Sequence, residues 1–157
     1  MQLVFFHGLE SGPHGSKYQR LQARWPQIVA PDCQGVRDPW ERIERVELAL
    51  ADFDEPLVIV GSSFGGLIAS HFAERHPSRV AALVLCAPAL HVPEPWMPKR
   101  APVPTVIIHG VDDAVVPVQA SRRWAERFDL QLIEVADDHR LARSHEEMTD
   151  AVARIVE

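Results

Sequence analysis

The chain has 157 residues, which suits a single domain spanning residues 1–157 that can bury a substantial core. Apolar residues make up 46% of the sequence, which excludes an intrinsically disordered chain, and no apolar run reaches the length of a membrane span. The formal net charge of −6 disfavours nucleic acid as a partner, because binding to phosphates favours a basic surface.

Short apolar runs alternate with segments of helical periodicity along the whole chain. The predicted strands are residues 3–6, 27–30, 57–60, 80–85, 105–108 and 130–135. The predicted helices are residues 17–25, a segment from Asp38 that includes Phe53, residues 64 to about 75, 118–128 and 145 to the end. This alternation predicts right-handed βαβ units and a three-layer α/β/α sandwich, in which a parallel sheet lies between two layers of helices.

Three residues are predicted to act as helix N-caps: Ser16, Asp38 and Ser144. In the helix after Asp38, apolar residues recur on one face, and the charged residues are assigned to the remaining, exposed faces. These charged residues are Glu41, Arg42, Glu44 and Arg45. Further along, six prolines between residues 88 and 104 exclude a long helix or a central strand there.

The first residues, Met1 to His7, contain no basic leader and no cleavage site, so no signal peptide is predicted. The two cysteines, Cys33 and Cys86, do not have the spacing of a metal site. They are predicted to be buried free thiols in a reducing compartment, so the expected localisation is cytoplasmic. No membrane partner is expected.

The segment Gly61-Ser62-Ser63-Phe64-Gly65 lies between an apolar run and a helical pattern. A strand that turns sharply into a helix holds its central residue in a strained conformation, and glycines two positions to either side avoid collisions. The pattern therefore predicts a nucleophile elbow, which presents the Ser63 hydroxyl at the end of a strand and next to a helix N-terminus.

Two later loops carry residue types that activate a serine. The loop after the fifth predicted strand contains Asp112 and Asp113, and the loop after the sixth contains His139. A neutral imidazole takes the serine proton, and a carboxylate fixes the tautomer of that imidazole. Because functional loops of a parallel sheet lie at the carboxyl ends of its strands, we expect these side chains to meet there.

Four sequence motifs make the chain resemble the α/β-hydrolase family over essentially its whole length. They are His7-Gly8, Gly61-Ser62-Ser63-Phe64-Gly65, His109-Gly110-Val111-Asp112-Asp113-Ala114-Val115-Val116-Pro117 and Asp138-His139. The resemblance implies Ser63 as the nucleophile, Asp113 rather than Asp112 as the acid, and His139 as the base. It also implies an oxyanion hole formed by the backbone N–H groups of Leu9 and Phe64. Within the family, the chain is most similar to the small, cap-poor bacterial esterases of the YqiA-like group.

Two departures from the family pattern shape the fold prediction. The usual family sheet has two further N-terminal strands, and this chain begins at what would be the third. We therefore expect a six-stranded, wholly parallel sheet in the order 2-1-3-4-5-6, which is a reduced α/β-hydrolase fold. The cap domain is also absent, and only the proline-rich segment 88–104 stands in its place.

Several other residues in these loops have alternative interpretations. His145 is expected on a solvated helix face, His109 is expected to form structural hydrogen bonds, and His7 is expected to shape the oxyanion loop. Six residues are candidates to line the substrate site, although exposed loops and a covered sheet edge are the plainer interpretations. They are Glu10, Ser11, Leu90, Val92, Trp96 and Met97.

The function predicted from these features is hydrolysis of small carboxylic esters or thioesters through an acyl-enzyme on Ser63. The expected partner is a small-molecule ester or thioester substrate, and no cofactor or metal is expected. The same three residues also serve acyl-CoA thioesterases, peptidases and acyltransferases, so these activities remain alternatives. A non-catalytic binding module on a hydrolase scaffold is disfavoured, since it would have no need of all four motifs.

Overall fold

The protein is described by a computed structural model that covers every residue from Met1 to Glu157. Its strands are β1 (Gln2–Phe6), β2 (Leu57–Ser62), β3 (Val80–Cys86), β4 (Thr105–Gly110) and β5 (Gln131–Val135). Its helices are α1 (Ser16–Arg24), α2 (Pro39–Ala49), α3 (Phe64–Arg75), α4 (Val118–Phe128) and α5 (His145–Val156), with one 3₁₀ turn at Glu94–Trp96. None of the helices has the length and apolar character that crossing a bilayer requires.

The five strands form one parallel sheet in the order β1-β2-β3-β4-β5. The predicted α/β architecture and parallel sheet are confirmed, but the prediction of six strands was wrong. The predicted strand at 27–30 is reduced to a single parallel bridge between Val29 and Val4, on the outer side of β1. The segment therefore has the position expected for it in the predicted order, but it does not form a strand.

Prolines on both sides explain why this segment pairs so briefly. Pro26 and Pro31 flank the predicted strand, and proline has no N–H to donate to a ladder. Only two backbone–backbone hydrogen bonds join the segment to β1: Phe5 N–H to Val29 O at 2.8 Å and Val29 N–H to Leu3 O at 3.1 Å. The chain then leaves the sheet toward α2.

Successive side chains along each strand point to opposite faces of the sheet and pack into two separate cores, one on each face. In β2, Leu57 and Ile59 belong to the larger core, and Val58 and Val60 belong to the smaller one. The buried residues of α2, α3 and α4 cover the larger core, and those of α1 and α5 cover the smaller. Because all five strands run parallel, the loops that follow them emerge together at the carboxyl edge of the sheet.

The helix starts agree only partly with the predicted caps. Asp38 is the N-cap residue of α2, and its carboxylate accepts a hydrogen bond from Glu41 N–H at 3.0 Å, as predicted. The predicted cap at Ser16 was wrong, because Gly15 holds the N-cap position and Ser16 is already helical. Ser144 does hold the N-cap position of α5, but its hydroxyl donates to Asp137 at 2.8 Å instead of capping the helix.

Residues 88–104, which we name the strap, cross the larger core without forming a long helix or a strand, as predicted. Two side chains of α3 hold the strap. The Trp96 carbonyl accepts a hydrogen bond from His71 Nε2 at 2.6 Å. The Glu74 carboxylate accepts the backbone N–H groups of Lys99 and Arg100, each at 2.6 Å. The strap is thus fastened at two points to the helix that begins at Phe64.

Candidate active site

Ser63 occupies the sharp turn between β2 and α3, in the strained conformation that the sequence predicts for an elbow. Its backbone has φ 54° and ψ −116°, a positive φ that non-glycine residues rarely adopt. A hydrogen bond from Ser63 N–H to Cys86 O, at 2.9 Å, ties the turn to the end of β3. The residue is half-buried at the carboxyl edge of the sheet.

Close backbone approach explains the glycines beside this turn. A Cβ atom on Gly61 would lie 2.7 Å from the Gly65 carbonyl oxygen, and a Cβ atom on Gly65 would collide with the carbonyl oxygen of Phe6. Gly65 therefore lets the elbow approach the end of β1. This contact brings the loop after β1 next to Ser63, where the sequence predicts the oxyanion hole.

The structure brings Ser63, His139 and Asp113 into one hydrogen-bonded row. His139 Nδ1 lies 2.7 Å from Asp113 Oδ2, and His139 Nε2 lies 2.9 Å from Ser63 Oγ. Because the carboxylate can only accept, Nδ1 carries the proton and the neutral ring presents the lone pair of Nε2 to the serine hydroxyl. This is the arrangement in which an imidazole can take a serine proton.

The side chain of Asp113 is fully buried and accepts hydrogen bonds on both oxygens. Its Oδ1 accepts Val115 N–H and Val116 N–H, both at 2.8 Å. Its Oδ2 lies 3.1 Å from His109 Nε2, in addition to its bond with His139. Asp112, the rival acid, is exposed and lies outside this row. Four polar contacts, two from backbone N–H groups and two from histidine rings, thus hold the Asp113 carboxylate in place.

His109 is fully buried and forms structural hydrogen bonds, as the sequence predicts. Its Nε2 faces two acceptors, Val116 O at 2.9 Å and the Asp113 carboxylate, so this nitrogen carries the proton. Its Nδ1 then accepts from the Ser121 hydroxyl at 2.7 Å. His109 thereby connects β4 and α4 behind the acid loop.

A second buried carboxylate, Asp137, fixes the loop that carries His139. It accepts hydrogen bonds from Asp138 N–H, Arg143 N–H and the Ser144 hydroxyl, at 2.8 to 2.9 Å. Burial by itself would raise the pKa of Asp137, but these hydrogen bonds outweigh it and lower that pKa. The carboxylate therefore stays charged and keeps its three donors in place.

The N–H groups of Leu9 and Phe64 lie on the two segments that Gly65 brings together. Leu9 N–H donates to no protein acceptor, and Phe64 is the first residue of α3, whose N–H has no acceptor within the helix. His7 shapes the loop before Leu9, in agreement with its predicted role. Its Nε2 accepts Cys33 N–H at 2.8 Å, so its Nδ1 carries the proton and donates to Gly8 O at 2.8 Å.

The six predicted substrate-lining residues lie in different environments. Glu10 and Ser11 are exposed, and Glu10 pairs with Arg37 at 2.9 Å. Leu90 is buried in the larger core, and Val92 and Met97 pack against that core. Trp96 stacks on Trp40, with ring centroids 6.0 Å apart.

Sequence reasoning missed two side chains near the site. Arg42, assigned to an exposed helix face, is fully buried beside the loop after β1. Its position four residues before Val46 places it on the apolar face of α2, which was the available signal. His91, on the strap, lies near Asp113 and His139. Partial burial lowers its pKa, Asp113 acts to raise it and His139 acts to lower it.

The expectation that His145 lies on a solvated face was wrong. The residue is half-buried, and its Nε2 is buried without a hydrogen-bond partner. Burial lowers its pKa, and the nearby cations Lys17 and Arg20 lower it further. It lies at the start of α5 and forms no hydrogen bond with Ser63 or Asp113, which His139 contacts instead.

A parallel sheet between helical layers, with a serine at a strained strand-to-helix turn on its carboxyl edge, defines the α/β-hydrolase fold. Solved structures agree. A protein of the α/β-hydrolase superfamily from Xanthomonas campestris pv. campestris superposes with a TM-score of 0.83 at 28% identity, over 99% of this chain and 97% of that one. Mouse alpha/beta hydrolase domain-containing protein 10 has the same fold, with a TM-score of 0.84 at 18% identity over 99% of this chain and 89% of that one.

Sequence comparisons point to the same class. Residues 34–102 match the family model described as serine aminopeptidase, S33. Lipase LipV of Mycobacterium tuberculosis is 40% identical over 100 residues, which are 57% of this chain and 38% of the lipase. A pimeloyl-(acyl-carrier protein) methyl ester esterase of Neisseria meningitidis is 38% identical over 93 residues, 55% of this chain and 36% of that protein. The chain thus spans less than half the length of these curated relatives. Together with the fold, these similarities support an α/β-hydrolase.

Proposed function

We propose that the protein hydrolyses small carboxylic esters through an acyl-enzyme formed on Ser63. The observation that carries this proposal is the continuous row of hydrogen bonds, 2.9 Å from Ser63 Oγ to His139 Nε2 and 2.7 Å from His139 Nδ1 to Asp113 Oδ2. The names of the curated relatives, a lipase and a methyl ester esterase, support the choice of an ester as substrate.

In the proposed mechanism, His139 Nε2 takes the Ser63 proton as the oxygen attacks the ester carbonyl. The carbonyl oxygen becomes an oxyanion, which accepts hydrogen bonds from Leu9 N–H and Phe64 N–H. Such donors each contribute about 3 kcal/mol of transition-state stabilisation. The imidazolium, stabilised by Asp113, then protonates the departing alcohol. Water attacks the acyl-enzyme by the same route and releases the acid and the free Ser63 hydroxyl.

The proposal is tested with a fluorophosphonate probe and a series of p-nitrophenyl esters of increasing acyl length. We expect the wild-type protein to label and to turn over esters. We expect Ser63→Ala to keep the fold, measured by circular dichroism, and to lose both labelling and turnover. Ser62→Ala removes the neighbouring hydroxyl at the end of β2 and is the matched control, which should retain both. Retained labelling in Ser63→Ala would move the nucleophile to another residue.

The substrate class is the part of the proposal with the most alternatives. Acyl-CoA thioesters and aminoacyl p-nitroanilides, offered as competitors of probe labelling, rank thioesterase and peptidase activity against ester hydrolysis. The peptidase arm is included because the matching family model is described as a serine aminopeptidase. Folded protein with neither labelling nor turnover would favour a non-catalytic binding module instead.

We also propose the cytoplasm as the compartment, on the basis of the two cysteines. Cys33 and Cys86 are both free and buried. Burial raises the pKa of both thiols, to about 11 for Cys86, which keeps them protonated and unreactive. Free thiols of this kind are typical of proteins in reducing compartments.

A further inference from the structure

Arg42 is the bulkiest of the fully buried side chains, and it lies on α2 beside the loop after β1. Its guanidinium donates three hydrogen bonds, and all three end on backbone carbonyl oxygens. Nε donates to Val36 O at 2.7 Å, Nη1 to His7 O at 2.9 Å and Nη2 to Gly8 O at 3.0 Å. The salt bridges of the protein do not include it. The buried cation therefore fixes the path of the backbone rather than pairing with a carboxylate.

One of these bonds acts directly on a proposed oxyanion donor. The Gly8 carbonyl and the Leu9 N–H belong to the same peptide group, and a peptide group is planar, so fixing the oxygen also fixes the direction of the N–H. Both Arg42 Nη2 and the His7 Nδ1–H donate to that oxygen, at 3.0 and 2.8 Å. A cation at the carbonyl also polarises the peptide group, which makes its N–H a stronger donor.

The same guanidinium also contacts the elbow. Its Cζ lies 4.9 Å from the centroid of the Phe64 ring, a cation–π contact. Phe64 carries the second proposed oxyanion donor on its backbone. Arg42 is thus in contact with both chain segments whose relative position sets the distance between the two donors.

We propose that Arg42 is a positioning residue, which holds the Leu9 and Phe64 N–H groups in the geometry that binds the oxyanion. This inference rests on the proposed ester-hydrolase function. Stability alone does not explain the guanidinium, because a buried cation carries a desolvation cost and an apolar side chain of similar volume is often as stable. A role in preorganising the oxyanion hole supplies the missing reason, since such donors act only if they are already aligned.

Arg42→Met tests the role, because methionine fills most of the space and donates no hydrogen bond. We expect kcat for an oxyester to fall about 10- to 100-fold with little change in KM, since a misplaced oxyanion hole loses transition-state binding. The matching thionoester carries a sulfur that accepts hydrogen bonds poorly, so it uses the oxyanion hole less. We expect its kcat to fall much less, which lowers the oxyester-to-thionoester ratio.

Arg79→Met is the matched control. Arg79 also donates to two backbone carbonyls, Leu50 O at 2.6 Å and Phe53 O at 3.2 Å, and its Cζ lies 5.8 Å from the Phe72 ring centroid. It directly precedes β3, so it lies at the opposite edge of the sheet from Ser63. We expect Arg79→Met to lower the thermal unfolding midpoint while kcat and the oxyester-to-thionoester ratio stay near the wild-type values.

The outcomes separate this inference from the proposed function. An Arg42→Met variant with unchanged kcat, or with an equal fall for both substrates, overturns the positioning role and leaves the esterase proposal intact. A wild-type protein without Ser63-dependent turnover overturns both. If Arg42→Met does not fold, Arg42→Lys takes its place, because lysine keeps the cation but its single ammonium lacks the fork that reaches three carbonyls. The same fall in ratio, smaller in size, is then expected.

Discussion

At the scale of single residues, the two adjacent aspartates of the acid loop have separate environments. The Asp113 side chain is buried and contacts His139, and Asp112 is exposed. We predict that Asp113→Asn lowers kcat/KM about 10³- to 10⁴-fold, because an amide can donate to His139 and then favours the wrong tautomer of its ring. The measurement is steady-state kinetics on the ester that the wild-type protein hydrolyses best.

Asp112→Asn is the matched control for this prediction. It makes the same chemical change one residue away, at a side chain that does not contact His139, so we expect kcat/KM within about twofold of the wild type. A larger loss in Asp112→Asn than in Asp113→Asn would reverse the assignment of the acid.

The grouping of these three loops was predictable from the chain pattern, whereas the choice of Asp113 over Asp112 came from the resemblance to the α/β-hydrolases. A glycine-flanked serine, a later acid and a still later histidine each lie after an apolar run, and parallel strands bring such loops to one edge. Arg42 was not predicted, because a charged residue in a helix is normally solvated. Its hydrogen bonds to backbone carbonyls satisfy the buried guanidinium, but such contacts leave no trace in the composition or the charge pattern.

At the scale of elements, the strap depends on one carboxylate of α3. Glu74 accepts both Lys99 N–H and Arg100 N–H, so Glu74→Ala leaves two neighbouring backbone donors to solvent. We predict that amide hydrogen exchange at residues 99 and 100 becomes at least about 10-fold faster, since local opening no longer breaks these bonds. The change in unfolding free energy is expected to be about 1 kcal/mol, because the bonds lie near the surface.

Glu94→Ala is the control for the strap. Glu94 is an exposed acid on the strap itself, and its carboxylate forms no hydrogen bond, so its removal should leave exchange at residues 99 and 100 unchanged. Equal exchange rates in Glu74→Ala and the wild-type protein would mean that the Glu74 carboxylate does not protect these two amide groups.

Element boundaries were predictable where apolar patterns are long. They were not predictable where prolines or side-chain hydrogen bonds oppose the regular structure. Helix α4 has the predicted bounds, Val118–Phe128. The segment 27–30 has strand-like residues but two flanking prolines, and their missing donors limit it to one bridge with β1. Ser144 also shows such competition, because the hydrogen bond that its hydroxyl donates to the buried Asp137 carboxylate orients the side chain, and its oxygen accepts no backbone N–H of α5.

At the scale of the whole molecule, buried histidines determine how stability depends on pH. Burial lowers the pKa of His7 and of His71, while Asp32 beside His7 and Glu74 beside His71 act to raise it. Between the folded pKa and the unfolded value of about 6.5, the unfolded chain binds more protons, so stability rises with pH. This contribution is fully present above about pH 6.5 and is lost as the pH falls toward the folded pKa.

We therefore predict a lower urea midpoint at about pH 5.5 than at about pH 7.5, measured by fluorescence at constant ionic strength. His71→Gln removes one of these two imidazoles with a lowered pKa, so the difference between the two midpoints should become smaller in that variant. An equal or higher midpoint at the acidic pH in the wild-type protein would contradict the assignment of neutral, buried histidines.

The collision that any Cβ on Gly65 would make with Phe6 O has a consequence for sequence drift. Every other amino acid adds that atom, so we expect no amino-acid substitution at this position to be neutral, whatever chemistry the new side chain carries. A mutational scan should therefore report Gly65 as intolerant as Ser63, although Gly65 presents no side chain to a substrate. The close approach of the elbow to the end of β1 thus depends on a residue without a Cβ atom at position 65.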